Sequence, residues 1–214
     1  LYVIPFYAMI GVQGSALYAY AYNIYVIFLD ISSAGLPIAI SKIINEYNTL
    51  GMMDAKIRAY KIGKKIMVFL AVSIFIILIL FAPQIASLLL GDLQGGNTPE
   101  MVALAIRCVS FAILIVPFLS VSKGYLQGHN VITISSYSQV IEQVVRIAII
   151  LGGSYFVLHI WHRSVTTAVC VSVFGAFLSG LAAYVYIKIK LSKAEEKELS
   201  LKINTKKDKV SNKE

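Results

Sequence analysis

Two stretches of this chain, Ile66–Gly91 and Ser164–Ile187, contain no acidic or basic side chain. A helix needs roughly 20 apolar residues to cross about 30 Å of hydrocarbon at 1.5 Å per residue, and either stretch is longer than that. In lipid, every backbone N–H and C=O must also be satisfied within the protein. Uninterrupted apolar runs of this length therefore fold as transmembrane helices. The composition agrees, with 58% hydrophobic and 14% charged residues, against about 25% charged in a soluble domain. The expected fold class is all-α, a polytopic membrane helix bundle. The net charge of +8 is then read by membrane face, and no nucleic-acid partner is expected.

The pattern predicts five full spans, Ala16–Ile43, Ile66–Leu90, Met101–Ser122, Val131–Leu158 and Val165–Ile187. Leu1–Val12 is apolar but too short to cross, and reads as the end of a sixth helix, truncated at its start. Residues 1–190 thus form one membrane domain. Residues 191–214 form a polar tail, a solvated linker or frayed helix. Gly91-Asp92 and Gly95-Gly96 stop one span, and Thr98-Pro99-Glu100 supplies an N-cap, a first-turn proline and a first-turn acid to the next. Ser164 can cap the last. Cys108 and Cys170 lie in apolar runs and read as buried, unpaired thiols without metal-ligand spacing. Lysine and arginine set the orientation. Lys56, Arg58, Lys61, Lys64 and Lys65 fill one loop, none lies in Gly91–Glu100, and the tail beyond Ile187 is lysine-rich. The basic loops and tail are expected on the cytoplasmic side.

Polar side chains inside the spans point to a lined interior. At 100° per residue, Ser135, Ser138, Gln139, Glu142, Gln143 and Arg146 fall within an arc of about 140°. The same face continues as Ile149, Ile150 and Gly153. Arg146 lies about 22 Å along the axis from Val131. Such a stripe describes a hydrated cavity, open to the cytoplasm and closed midway across or further. Glu142 and Arg146 are spaced i, i+4 and can pair. Two readings stand: a structural ion pair between helices, since an unpaired charge in lipid is costly, or an anion-binding arginine that Glu142 orients while the site is empty.

Asp30 shares a helix face with Asn23, Pro37 and Ser41. It reads as an ion or proton site, a partner for Arg107 or Arg146, or a buried carboxyl bonded to the backbone. Gly35-Leu36-Pro37 removes a backbone donor and permits a hinge. Tyr18, Tyr22 and Tyr25 read as an interfacial aromatic belt, with sugar stacking the alternative. Arg107 either snorkels to the outer interface or faces the cavity. Ser172, Gly175, Ala176, Ser179, Gly180 and Ala183 make a small-residue face for close helix packing. The chain has no phosphate-binding glycine loop after a strand, no nucleophile elbow and no paired histidines flanking a base. It is expected not to be an enzyme and to need no cofactor or metal.

Two blocks carry a resemblance. One ends at Tyr47 and reads LYAYAYNIYVIFLDISSAGLPIAISKIINEY, with Gly35-Leu36-Pro37, then Ser41-Lys42 and Glu46-Tyr47. The other, Lys123–Arg146, reads KGYLQGHNVITISSYSQVIEQVVR, with Gly124-Tyr125-Leu126-Gln127-Gly128, Ser138-Gln139, Glu142-Gln143 and Arg146. The chain resembles the polysaccharide-biosynthesis branch of the multidrug/oligosaccharidyl-lipid/polysaccharide exporter superfamily, and within it the Gram-positive lipid II flippases and stage V sporulation protein B. The resemblance implies the first six-helix lobe of a two-lobe transporter, in the bacterial plasma membrane with its tail cytoplasmic. The second lobe of the same chain, the bilayer and a lipid-linked saccharide would be its partners. Nothing basic occupies Ala16–Ser41, where Gram-negative lipid II flippases carry an arginine, so Arg146 is the best matched cation.

The implied activity is a flippase moving a polyprenyl-diphosphate-linked oligosaccharide, lipid II or a related envelope precursor, by alternating access. Arg146 would bind the diphosphate and Glu142 position it. Gln139 and Gln143, with Ser138 in the same set, would bond sugar or linkage oxygens, and Gly35 with Pro37 would flex. Two other classes stay open. One is a cation-coupled multidrug exporter of the same superfamily with Asp30 as its ion or proton site. The other is a membrane scaffold that transports nothing.

Overall fold

In the computed structural model, the residues described are 2–30, 36–91, 96–128 and 132–211, apart from the side chains of residues 28, 29, 36, 37, 48, 53, 56 and 192–211. They form six α-helices and, among the described residues, no strand: α1 (Val3–Asp30), α2 (Leu36–Thr49), α3 (Met53–Leu90), α4 (Pro99–Gly128), α5 (Ile132–Ala148) and α6 (Val165–Ser211). Two π-helical turns, Ile149–Gly153 and Phe156–Ile160, carry α5 onward. Among the described residues, four helices are long and apolar enough to cross a membrane, over Ile57–Leu90, Pro99–Gly128, Ile132–Ile160 and Val165–Leu191. The protein is an all-α, multi-pass membrane bundle.

α1 consists of two arms meeting at Gly11, whose φ of 69° and ψ of −174° lie where glycine alone is comfortable. The rings of Phe6 and Tyr18 meet edge to face at 4.9 Å, yet a straight helix would hold residues twelve apart at about 18 Å. The first arm therefore folds back along the second. The expected span Ala16–Ile43 falls on two helices, since Asp30 closes α1 and Leu36 opens α2. Gly35, half of the expected hinge, lies outside the described residues, and Pro37 is in the first turn of α2. The basic segment expected as a loop is largely helical. Only a short turn at Gly51, φ 71°, separates α2 from α3.

α4 is the central helix. Of its most apolar window 67% is buried, against 22% for α3. Val102, Ile106, Val109 and Ile113 of α4 pack with Leu17, Tyr18, Ile150, Val169 and Val173. Leu119, Leu126, Ala183 and Ile187 form a second cluster. α3 leaves Phe69, Leu80 and Leu88 exposed, as a helix bordering lipid does. Two starts are capped: the Met101 N–H donates to Thr98 Oγ1 and the Thr167 N–H to Ser164 Oγ.

Bilayer helices gain little from hydrophobic burial against one another, so close contact of small residues holds them together. The small-residue face of α6 is buried along its length. Gly175 lies against Ile149 and Gly180 against Ile115, and Ser172 bonds Ser154 of the α5 extension at 2.7 Å. Gly128, at the end of α4, is as tightly placed. A Cβ there would lie 2.7 Å from Ile44 Cβ and 3.0 Å from the Ser41 carbonyl oxygen. Gly128→Val is therefore expected to push α2 off α4 and cost about 1–3 kcal/mol, the usual penalty of overpacking. Thermal unfolding in detergent checks this, and an unchanged midpoint contradicts it.

Candidate functional site

The polar stripe of α5 splits between two environments. Ser135, Ser138, Glu142 and Arg146 are buried, while Ser136, Gln139 and Gln143 are exposed. The exposed edge borders a cavity of about 700 Å³. Lys123, Gln127 and Ser120 of α4 face it from the other side, and Tyr25, Val116, Ala176 and Ile147 bound its deep end. Gln127 and Ser136 lie beside the connection between α4 and α5, so the cavity extends from that end of the bundle toward its middle.

One carboxylate joins the cavity to the interior. Glu142 Oε2 accepts from Lys123 Nζ at 3.2 Å, and Glu142 Oε1 accepts from Arg146 Nη2 at 2.7 Å. The same guanidinium nitrogen donates to Tyr25 Oη at 2.8 Å, and the guanidinium carbon stands 5.4 Å from the Tyr25 ring centroid. The side chains of Lys123, Glu142 and Arg146 are only 14%, 10% and 5% exposed, and at such depth charge–charge attraction is strong and an unpaired charge costly. Among the described residues, Arg146 Nε has no hydrogen-bond partner. Beyond Arg146 a void of about 10 Å³ is bounded by Tyr18, Tyr22 and Ile150, and Tyr18 and Tyr22 stack at 5.3 Å.

Three expectations need correction. Arg146 does not line the cavity, because Glu142 stands between the two and Tyr25 covers the guanidinium. Ser138 is fully buried, and its hydroxyl donates to the Ser135 carbonyl at 2.6 Å, so it meets its own helix. Tyr18 and Tyr25 do not form an interfacial belt: they are 4% and 1% exposed and pack in the core. Asp30 is exposed at the end of α1, and among the described residues it makes no ion pair. Arg107 is exposed on α4. No group of three His, Cys, Asp or Glu among the described residues is placed to hold a metal ion.

Sequence reasoning missed Lys123 and Tyr25 as site residues. Lys123 lies just past the expected span Met101–Ser122, and its partner lies 19 positions away on another helix. A usable signal was its position at the head of the block that ends at Arg146.

The sequence matches the family model for polysaccharide biosynthesis proteins over residues 1–209. The chain belongs to that family. Among curated relatives, this family member is 35% identical over 206 residues to the lipid II flippase MurJ of Bacillus subtilis (strain 168), a match covering 96% of this chain and 38% of that protein. It is 28% identical to the membrane protein YabM of the same organism, over 87% of this chain and 33% of that one. It is 27% identical to stage V sporulation protein B, also of that organism, over 85% of this chain and 34% of that one. The polysaccharide biosynthesis chain described here thus spans between 33% and 38% of the length of the relatives it matches. No solved structure matches it.

Proposed function

We propose that this chain forms the first lobe of a flippase for a polyprenyl-diphosphate-linked saccharide, a lipid II or related envelope precursor. The observation carrying the reading is the shared carboxylate: Glu142 keeps one cation at a cavity wall and a second behind it, inside an apolar bundle. Three such groups sum to one positive charge. An incoming diphosphate, anionic and rich in acceptor oxygens, meets Lys123 first and competes with Glu142 for both cations. Arg146 has donor capacity to spare at Nε. Gln127, Gln139 and Gln143 offer donors and acceptors to linkage and sugar oxygens, while the prenyl chain remains in lipid. Similarity to a lipid II flippase supports the substrate class.

In this reading the cavity faces the cytoplasm, as does the tail, because the basic residues cluster at that end. A second lobe closes the other side, and rocking between lobes exchanges access. Gly35 with Pro37 serves as the hinge, and Asp30 belongs as an ion or proton site to the alternative of a cation-coupled drug exporter. Export of a cationic drug is disfavoured, because Glu142, the carboxylate bordering the cavity, is already held by two cations.

Headgroup translocation in vesicles is the deciding experiment. The full natural protein, reconstituted, is expected to move a fluorescent polyprenyl-diphosphate saccharide between leaflets and to leave a cationic dye behind. Movement of the dye alone overturns the proposal.

A further inference from the structure

A second feature lies away from the cavity, on α3. At 100° per residue, Arg58, Lys61, Lys65, Phe69 and Val72 fall within an arc of about 80°, and they line a groove of about 760 Å³ on the outside of the bundle, with Lys64 at its edge. The opposite face of α3 is packed. Tyr60 meets Tyr125 of α4 at 4.6 Å, Gly63 lies beside Ile40 of α2, and Met67 and Ala71 are buried. The stripe therefore points outward. Its apolar half is strongly exposed, Phe69 at 73%, and begins where the charge-free run starts at Ile66.

Among the described residues none of the four cations pairs with a carboxylate. Two other cations at this end of the bundle are engaged, Lys123 with Glu142 and Lys190 over the ring of Tyr186 at 5.9 Å. From Arg58 to Val72 the stripe runs about 21 Å, the depth of one leaflet including its headgroups. Cations occupy the headgroup half, and apolar side chains the hydrocarbon half.

We propose that this stripe binds an anionic phospholipid of the bilayer. Lys61 and Lys65 hold its phosphate, Arg58 and Lys64 flank it, and an acyl chain lies along Phe69 and Val72. Each cation near an anionic headgroup contributes about a fivefold preference. The site is independent of what the cavity carries.

The test uses the full natural protein in nanodiscs, with spin-labelled phosphatidylglycerol or phosphatidylcholine reporting lipid immobilised on the protein. The expected result is preferential immobilisation of phosphatidylglycerol, reduced at least tenfold in a Lys61→Gln/Lys65→Gln variant and kept in Lys61→Arg/Lys65→Arg. A Lys188→Gln/Lys190→Gln variant, which removes equal charge elsewhere, is expected to retain it. Equal losses in the two glutamine variants would mean diffuse attraction and overturn the site. Displacement of the immobilised lipid by inorganic phosphate at constant ionic strength would also overturn it, since the groove would then hold any phosphate and no lipid in particular.

Discussion

Arg146→Ala is expected to abolish headgroup translocation while the protein still inserts and folds. The fold survives because Glu142 keeps Lys123 as its partner at 3.2 Å, so the carboxylate is not stranded. The function fails because the second cation available to a diphosphate is gone. A hydrogen bond to a charged group is worth about 1.5–3 kcal/mol, roughly ten- to a hundredfold in rate or affinity. Arg146 supplies more than one such donor. Lys123→Ala, which leaves the Glu142–Arg146 pair intact, is expected to slow translocation by that single factor. Both are read in the vesicle assay, with expression and thermal midpoint as controls. Wild-type flipping by a folded Arg146→Ala protein would remove this arginine from the substrate path.

Glu142→Gln produces the opposite profile, a loss of stability first. Its carboxylate is the common partner of two cations, and neutralising it leaves both facing each other without compensation. Breaking a buried pair typically costs about 3–5 kcal/mol, enough to deplete folded protein in the membrane. The size-matched amide limits any packing contribution. Removing one stranded cation should restore part of the loss, so Glu142→Gln/Arg146→Ala is expected to unfold at a higher temperature than Glu142→Gln alone. Such non-additivity is the mark of coupled neighbours. If the double variant is the less stable, the three groups do not act as one charge cluster.

The apolar helices were legible because lipid leaves few alternatives: a charge-free run such as Ile66–Gly91 has a helix as its only closed hydrogen-bonding solution. The sidedness of α5 was legible for a similar reason, since polar residues at helical spacing need a common polar neighbour. Its division was not. The polar arc from Ser135 to Arg146 is wide enough to meet two surroundings, and which part is covered depends on Tyr25 of α1 and Lys123 of α4, both remote in sequence. Tyrosines near a helix end read as an interfacial belt, yet the fold-back at Gly11 brings Phe6 and Tyr7 against Tyr18. A glycine in an apolar run does not announce a positive φ. The folded-back arm that packs on Tyr18 was therefore not legible in the sequence.

The π-helical turns that carry α5 beyond Arg146 give this helix a choice of phase. A π turn holds about one residue more than an α turn, and one residue of helix is about 100° of rotation. Were the turn at Ile149–Gly153 to tighten into α geometry, the segment below would swivel by that angle against the segment above. With the upper segment anchored to α6 through Ser154 and Ser172, the lower would do the turning. Because tightening adds rotation between the two segments, Arg146 would turn away from the side held by Gln143 and toward that of Ser138, so the extra residue in the π turn is what keeps the guanidinium next to the cavity wall.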